Sequence, residues 1–202
     1  LILKAVEYEI EADASSASYF FALSLFNQGR VRIKNLNINS IQGDIKVIEI
    51  FKLLGYNYAI ENGCITMHGI LKTQYLNGIN VNMNDMPDVA MTIAVLALFG
   101  KQVSTISGIS SWVHKESNRL EAIQTELSKL GAIIRVTDDT IIITPTRNIK
   151  NGIIINTYKD HRIAMCFSLV SLFGVDVIIN DYQVVNKTFK DYFILYELLC
   201  TQ

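Results

Sequence analysis

Apolar residues recur at helical spacing in Leu120, Ile123, Leu127 and Leu130, a run that Ser117 or Asn118 can cap and Gly131 can stop. The rest of the chain parses outward from it. Residues 1–10 alternate loosely and lead into a strand, Asp13-Ala-Ser-Ser caps a helix running to about Asn27, and residues 31–36 are β-rich. A second helix opens within Asn39-Ser-Ile-Gln-Gly-Asp44 and ends at Leu54-Gly55, after which residues 56–60 and 64–68 make a hairpin around Glu61-Asn62-Gly63. The expected order is β-α-β-α-β-β.

The pattern then returns. Residues 79–83 form a strand, Pro87-Asp88 opens a helix through Phe99-Gly100, residues 103–106 form a strand and residues 117–130 a helix. Residues 132–136 and 140–144 pair around Asp138-Asp139. A third copy offers a strand over 152–156, a helix over 160–173, a strand over 175–179 and a helix over 188–199, without a closing hairpin. Helix-opening aspartates stand at 13, 88 and 160 and second-helix starts near 42, 117 and 188, so one unit of about 71–75 residues repeats. The fold class expected is α/β (α+β), with repeats over about 8–70, 78–145 and 152–199 in one domain spanning 1–202. A unit lacking its hairpin leaves a sheet edge and apolar helix faces bare, which predicts that another stretch of polypeptide supplies the strands.

Composition narrows the setting. The chain has 202 residues, half of them hydrophobic, yet no apolar run reaches the roughly 18–20 residues of a bilayer span. The expectation is a soluble chain with no membrane partner. With no export signal and three cysteines (Cys64, Cys166, Cys200) lacking metal-ligand spacing, reduced thiols in a cytoplasm are expected. A net charge of -1 argues against broad nucleic-acid binding, so any anion site must be local.

Charged residues gather where helices begin. Asp88 follows Pro87; Lys115, Glu116 and Arg119 flank the helix after Ser117; His161 and Arg162 follow Asp160; Lys187 precedes Thr188. On one helix, Lys115 and Arg119 would sit a turn apart, where like charges repel by roughly 0.2–0.5 kcal/mol and cations oppose the macrodipole. An anion between them is the expected remedy. In a threefold repeat such ends fall on one side, and converging N-termini with Arg and Lys make a phosphate or carboxylate site. Each residue also has a plainer reading: Asp13, Asp88 and Asp160 as caps, His161 as a half-buried histidine, Arg162 and Lys187 as surface charges, Trp112 as packing and the methionines as core filler.

Six runs, Asp13-Ala-Ser-Ser-Ala-Ser-Tyr-Phe, Asn39-Ser-Ile-Gln-Gly-Asp44, Met86-Pro-Asp-Val-Ala-Met-Thr92, Lys115-Glu-Ser-Asn-Arg-Leu120, Asp160-His-Arg-Ile-Ala-Met165 and Lys187-Thr-Phe-Lys-Asp-Tyr-Phe193, occur together in this order. They resemble the C-terminal half of the 5-enolpyruvylshikimate-3-phosphate synthases across nearly the whole chain. The resemblance implies an inside-out α/β prism of three βαβαββ units, its third hairpin supplied by the protein's extreme N-terminus. It implies transfer of the enolpyruvyl group of phosphoenolpyruvate to the 5-hydroxyl of shikimate 3-phosphate, with phosphate released and no cofactor or metal needed.

By position, the same resemblance makes Asp88 a general base beside that hydroxyl, Lys115 a cation near the hydroxyl and bridging oxygen, and Glu116 the carboxyl that exchanges a proton with the methylene carbon. Arg119 and Arg162 would grip phosphoenolpyruvate, Lys187 and His161 would complete the pocket, and Ser111 would offer a contact on the shikimate side. Three positions depart from the family pattern: Asn118 replaces an aspartate, Ser111 an asparagine and Lys190 a proline. The remaining substrate contacts belong to a missing N-terminal half, so this chain alone is expected to be inactive. Rival readings are a UDP-N-acetylglucosamine enolpyruvyl transferase, a phosphate- or RNA-binding module of the same repeat, and a relic whose site has decayed. The Asp160-His-Arg and Lys115-Glu-Ser-Asn-Arg runs favour the shikimate enzyme over the first. Near-neutral charge without a basic, aromatic stripe disfavours the second.

Overall fold

The computed structural model describes residues 7, 9–24, 29–69 and 75–200. Three helices, α1 (Ala14–Leu23), α3 (Ala90–Ala97) and α5 (His161–Ser168), are buried along almost their whole length. Their sequences explain it: α3 is Ala-Met-Thr-Ile-Ala-Val-Leu-Ala, apolar all round, and such a helix has no face for water. They meet through small polar groups. Ser18 Oγ lies 2.9 Å from Thr92 Oγ1, which lies 3.8 Å from Cys166 Sγ. Each step is 74 residues, so segments far apart in the sequence meet in the core. The thiol is inert there, since burial pushes Cys166 up to about 12.

The other helices, α2 (Val47–Leu54), α4 (Arg119–Lys129) and α6 (Tyr192–Cys200), bury one face. In α2 that face is Val47, Ile48, Ile50, Phe51 and Leu54, and Gly55 ends the helix with φ 108°, a conformation open to glycine but strained for a residue with a Cβ.

Three sheets flank the helices. The first has the order β1 (Arg30–Ile33), β3 (Cys64–His68), β2 (Asn57–Glu61), all antiparallel. The second is β4 (Asn80–Asn82), β5 (Ser104–Ser107), β7 (Thr140–Thr144), β6 (Ile133–Val136), with β4 parallel to β5 and the β6–β7 hairpin closing the far side. The third is only β8 (Ile153–Ile155) parallel to β9 (Val177–Ile179). Where β5 pairs with β7, the matching edge of β9 has no partner among the described residues. Beside α6, an apolar groove of about 490 Å³ runs between Ala17 and Phe20 of α1 and Phe189, Leu195 and Leu198. Among the described residues no helix is long and apolar enough to cross a membrane.

Several expected boundaries move. The end of the first helix, 25–27, lies outside the described residues, as does most of the loosely alternating start. Residues 9–13 carry no strand. The second helix is preceded by a single tight turn, Gly43–Lys46, rather than opening at 39–44. The helix expected from Pro87-Asp88 starts at Ala90, with Asp88 in the turn before it, and the helix expected from Thr188 starts at Tyr192 after an unforeseen tight turn, Tyr182–Lys187. The long helix expected over 160–173 leaves α-geometry after Ser168 and closes with the tighter turn Leu169–Phe173 at Gly174.

Candidate active site

Arg119 is the first residue of α4, capped by Asn118, whose side-chain oxygen accepts from the Glu121 amide at 3.3 Å. Leu120, Ile123 and Leu127 draw that end of the helix into the core, and the arginine goes with it: its side chain is 1% exposed. A buried guanidinium must be matched by negative charge. Three carboxylates from three separate segments provide it. Nε donates to Asp160 Oδ2, Nη1 to Asp88 Oδ1 and Nη2 to Glu116 Oε2, each at 2.8 Å.

Each carboxylate has further partners. Asp160, fully buried at the start of α5, caps it by accepting from the Arg162 amide at 2.9 Å and also accepts from Ser117 Oγ at 3.0 Å. Asp88 accepts from Lys115 Nζ at 3.1 Å and Arg162 Nη2 at 3.2 Å. Glu116 accepts from Lys187 Nζ at 2.9 Å. Arg162 Nη1 also donates to the Tyr19 hydroxyl at 3.4 Å, tying in α1 from 143 residues away. Lys115, Arg119, Arg162 and Lys187 thus stand against Asp88, Glu116 and Asp160, one cation in excess.

These contacts set the protonation states. Burial alone would raise Asp88, but Arg162, Lys115 and Arg119 outweigh it and hold the carboxyl below the usual aspartate range. Burial likewise opposes ionisation of Glu116, yet Lys187, its own backbone amide and Arg119 bring it down to about 2. His161 is pushed down by burial, with Asp160 only partly opposing, so its ring is neutral at pH 7. Burial would lower Arg119, and Asp160 and Asp88 more than restore it, so the guanidinium stays charged.

Packing beneath the cluster holds its loops. Trp112, fully buried in the tight turn Ser110–His114, donates from Nε1 to the Pro87 carbonyl at 2.7 Å and so fixes the segment carrying Asp88. The Asp139 carboxylate accepts from the Gly108 and Ser110 amides at 3.1 and 2.9 Å and anchors that turn to the β6–β7 hairpin. Gly108 lies at φ 76°, and a Cβ there would stand 2.5 Å from the Asn84 nitrogen.

The structure brings Asp88, Lys115, Glu116, Arg119, Arg162 and Lys187 into one network, with His161 beside it: Nδ1 is 3.8 Å from Asp160 Oδ1 and has no hydrogen-bond partner among the described residues. Ser111 is not in the network; its Oγ is buried in the Trp112 turn without a hydrogen bond. Two expectations are corrected. Lys115 is not on the helix with Arg119 but in extended backbone ahead of it, and the two cations share Asp88 instead of repelling across a turn. Asp88 does not cap α3, because three cations claim its carboxylate. Asp160, Ser117 and Tyr19 join the network without a site role expected from the sequence, although each stands in one of the six runs that carry the family resemblance.

A family model for EPSP synthase (3-phosphoshikimate 1-carboxyvinyltransferase) matches residues 2–194. The chain belongs to the EPSP synthase family. The 3-phosphoshikimate 1-carboxyvinyltransferase of Buchnera aphidicola subsp. Baizongia pistaciae is 45% identical over 195 residues, covering 96% of this chain and 44% of that protein. That of Burkholderia vietnamiensis is 45% identical over 185 residues, covering 91% of this chain and 43% of the relative. The chain therefore spans less than half the length of these EPSP synthase relatives. Among solved structures, EPSP synthase from Acinetobacter baumannii superposes with a TM-score of 0.76 at 23% identity, over 94% of this chain and 46% of that one. The enolpyruvyl transferase NikO from Streptomyces tendae gives 0.65 at 14% identity, over 95% and 43%. These likenesses give the mixed α/β fold of EPSP synthases to this chain.

Proposed function

We propose that this chain is the C-terminal-type domain, residues 1–202, of an EPSP synthase whose N-terminal half lies elsewhere in the protein, and that it carries half of the active site. In this reading the domain is an inside-out prism of three βαβαββ units, and the edge of β9, unpaired among the described residues, receives the strands that complete the third unit. The observation that carries the functional reading is the Arg119 network, in which four cations and two partly exposed carboxylates, Asp88 and Glu116, share one locus.

The intact protein then joins shikimate 3-phosphate to phosphoenolpyruvate. Asp88, ionised and 27% exposed, takes the proton of the 5-hydroxyl as its oxygen bonds to C2 of phosphoenolpyruvate. Glu116 gives a proton to C3, leaving a tetrahedral carbon that bears both ether and phosphate oxygens. The C2–phosphate bond then breaks, C3 returns a proton to a base, and phosphate leaves with the double bond restored. Arg119, Arg162 and Lys187 meet the phosphate and carboxylate of phosphoenolpyruvate, where the planar guanidinium fork suits both groups. Lys115 attends the hydroxyl and bridging oxygen, and His161, neutral, completes the wall.

Charge explains why one half is insufficient. With its cations already spent on three carboxylates, the cluster has a single excess positive charge for a multiply charged ligand, and the other half supplies the rest. When phosphoenolpyruvate draws Lys187 away from Glu116, burial is less opposed, and the carboxyl takes from solvent the proton that it delivers to C3. A coupled phosphate-release assay tests the reading: the intact protein should release phosphate only with both substrates present, and this chain alone should release none. No release from the intact protein would refute it.

A further inference from the structure

Tyr158 and Lys159 are the central residues of a turn closed by the Asp160 amide, which donates to the Thr157 carbonyl at 2.8 Å. Both have positive φ, 53° and 59°. Turns with both centres in that region are dominated by Gly, Asn and Asp, because a larger side chain crowds the backbone. A tyrosine and a lysine side by side cost roughly 1–2 kcal/mol each in local strain. Such strain lasts only where the surroundings hold it, and it gathers near functional sites. The residue that follows is Asp160, the buried partner of Arg119.

Side-chain contacts hold the turn. The Tyr158 hydroxyl donates to Glu126 Oε1 at 2.7 Å, and Glu126, fully buried on α4, takes two contacts from Lys129 Nζ at 2.8 and 2.7 Å. Glu126 follows Arg119 on the same helix by about two turns. The turn and α4 are therefore joined twice, once through Arg119 and Asp160 and once through Glu126 and Tyr158. Stability alone is a poor reason for this arrangement: a buried carboxylate is costly, and an apolar residue packs there at no such cost.

We propose that Tyr158 and Glu126 are positioning residues for the candidate active site: their hydrogen bond latches the strained turn to α4, fixing the Asp160 carboxylate that aims the Arg119 guanidinium. The consequence for substrate rests on the EPSP synthase reading above, whereas the geometric claim does not. The test uses the intact protein, labelled with ¹⁵N-arginine, and its Tyr158→Phe and Tyr158→Asn variants. Asparagine suits positive φ better than tyrosine, so a role in fold stability alone would leave Tyr158→Asn with an undisturbed Arg119. The latch instead predicts that the Arg119 Nε–H exchanges with solvent about tenfold faster in both variants, while Tyr158→Asn keeps or raises the melting temperature. In phosphate release both should raise the phosphoenolpyruvate KM about fivefold with kcat within about twofold. Exchange within about twofold of the parent overturns the latch, and so does an unchanged KM. A parent without turnover refutes the functional reading and leaves the exchange comparison to decide the latch.

Discussion

Arg119 and Asp160 form the innermost contact of the cluster, Nε donating to Oδ2 at 2.8 Å with the two side chains 1% and 0% exposed. Neither charge can be removed alone without stranding the other in the protein interior. Arg119→Met in the intact protein is expected to cost about 3–5 kcal/mol of stability, the usual penalty for breaking a buried pair. Arg119→Lys should recover only part of it, since one ammonium cannot face Asp160, Asp88 and Glu116 as a guanidinium does. Urea unfolding measures both, and a loss below about 1 kcal/mol for Arg119→Met would show that the pair is not buried as described.

Lys187 is the more accessible of the cations on Glu116, its side chain 55% exposed, and it accounts for much of the depressed carboxyl pKa. Lys187→Met should move the Glu116 titration from about 2 up toward the ordinary 4.5. Carbon-13 NMR of the Glu116 side-chain carboxyl follows this directly; a midpoint that stays near 2 would assign the shift to Arg119 and the backbone alone.

His161 and the carboxylates give opposite ends of one acid profile. Folded His161 has a pKa below 6.5 because burial disfavours the imidazolium, so the unfolded chain binds its proton first and stability falls as pH drops below 6.5. Asp88 and Glu116, both depressed, contribute stability that is complete above their ordinary values and is lost as pH falls through the folded ones, for Glu116 toward about 2. Denaturant midpoints at pH 7.5, 6.5 and 5.5, as the chosen conditions, should decline in the parent and flatten in His161→Gln. Parallel slopes would remove His161 from the profile.

Trp112 acts on the site from beneath. Trp112→Phe deletes the donor to the Pro87 carbonyl and should cost about 0.5–1.5 kcal/mol for the part-buried hydrogen bond lost, with a weaker grip on the Asp88 segment. Calorimetry together with the pH dependence of turnover checks it, and a variant matching the parent in both would make the indole simple filler.

How much of this was legible depends on range. The helix α4 and the hairpins after Gly55 and Gly131 follow from periodicity and from two glycines that stand at φ 108° and 107°, signals carried within a few residues. Tight single turns such as Tyr182–Lys187 carry no period, so α6 begins at Tyr192 and not at the expected Thr188. The gathering of charge at helix beginnings was readable; how that charge is balanced was not. Asp88 and Asp160 lie 31 and 41 residues from Arg119, and only the folded chain shows that they neutralise it, where the sequence suggested an external anion. Tyr158 is invisible for a related reason, because its role depends on a backbone angle that tyrosine rarely adopts.

Deuterium incorporation tests the central claim most directly. If Glu116 hands a proton to C3 of phosphoenolpyruvate and a proton is later withdrawn, the intact protein working in heavy water on both substrates should place deuterium in the methylene group of the product. Glu116→Gln should cut that rate by about 100-fold or more. Deuterium entering at the parental rate in Glu116→Gln would take the proton transfer away from this cluster and contradict the account.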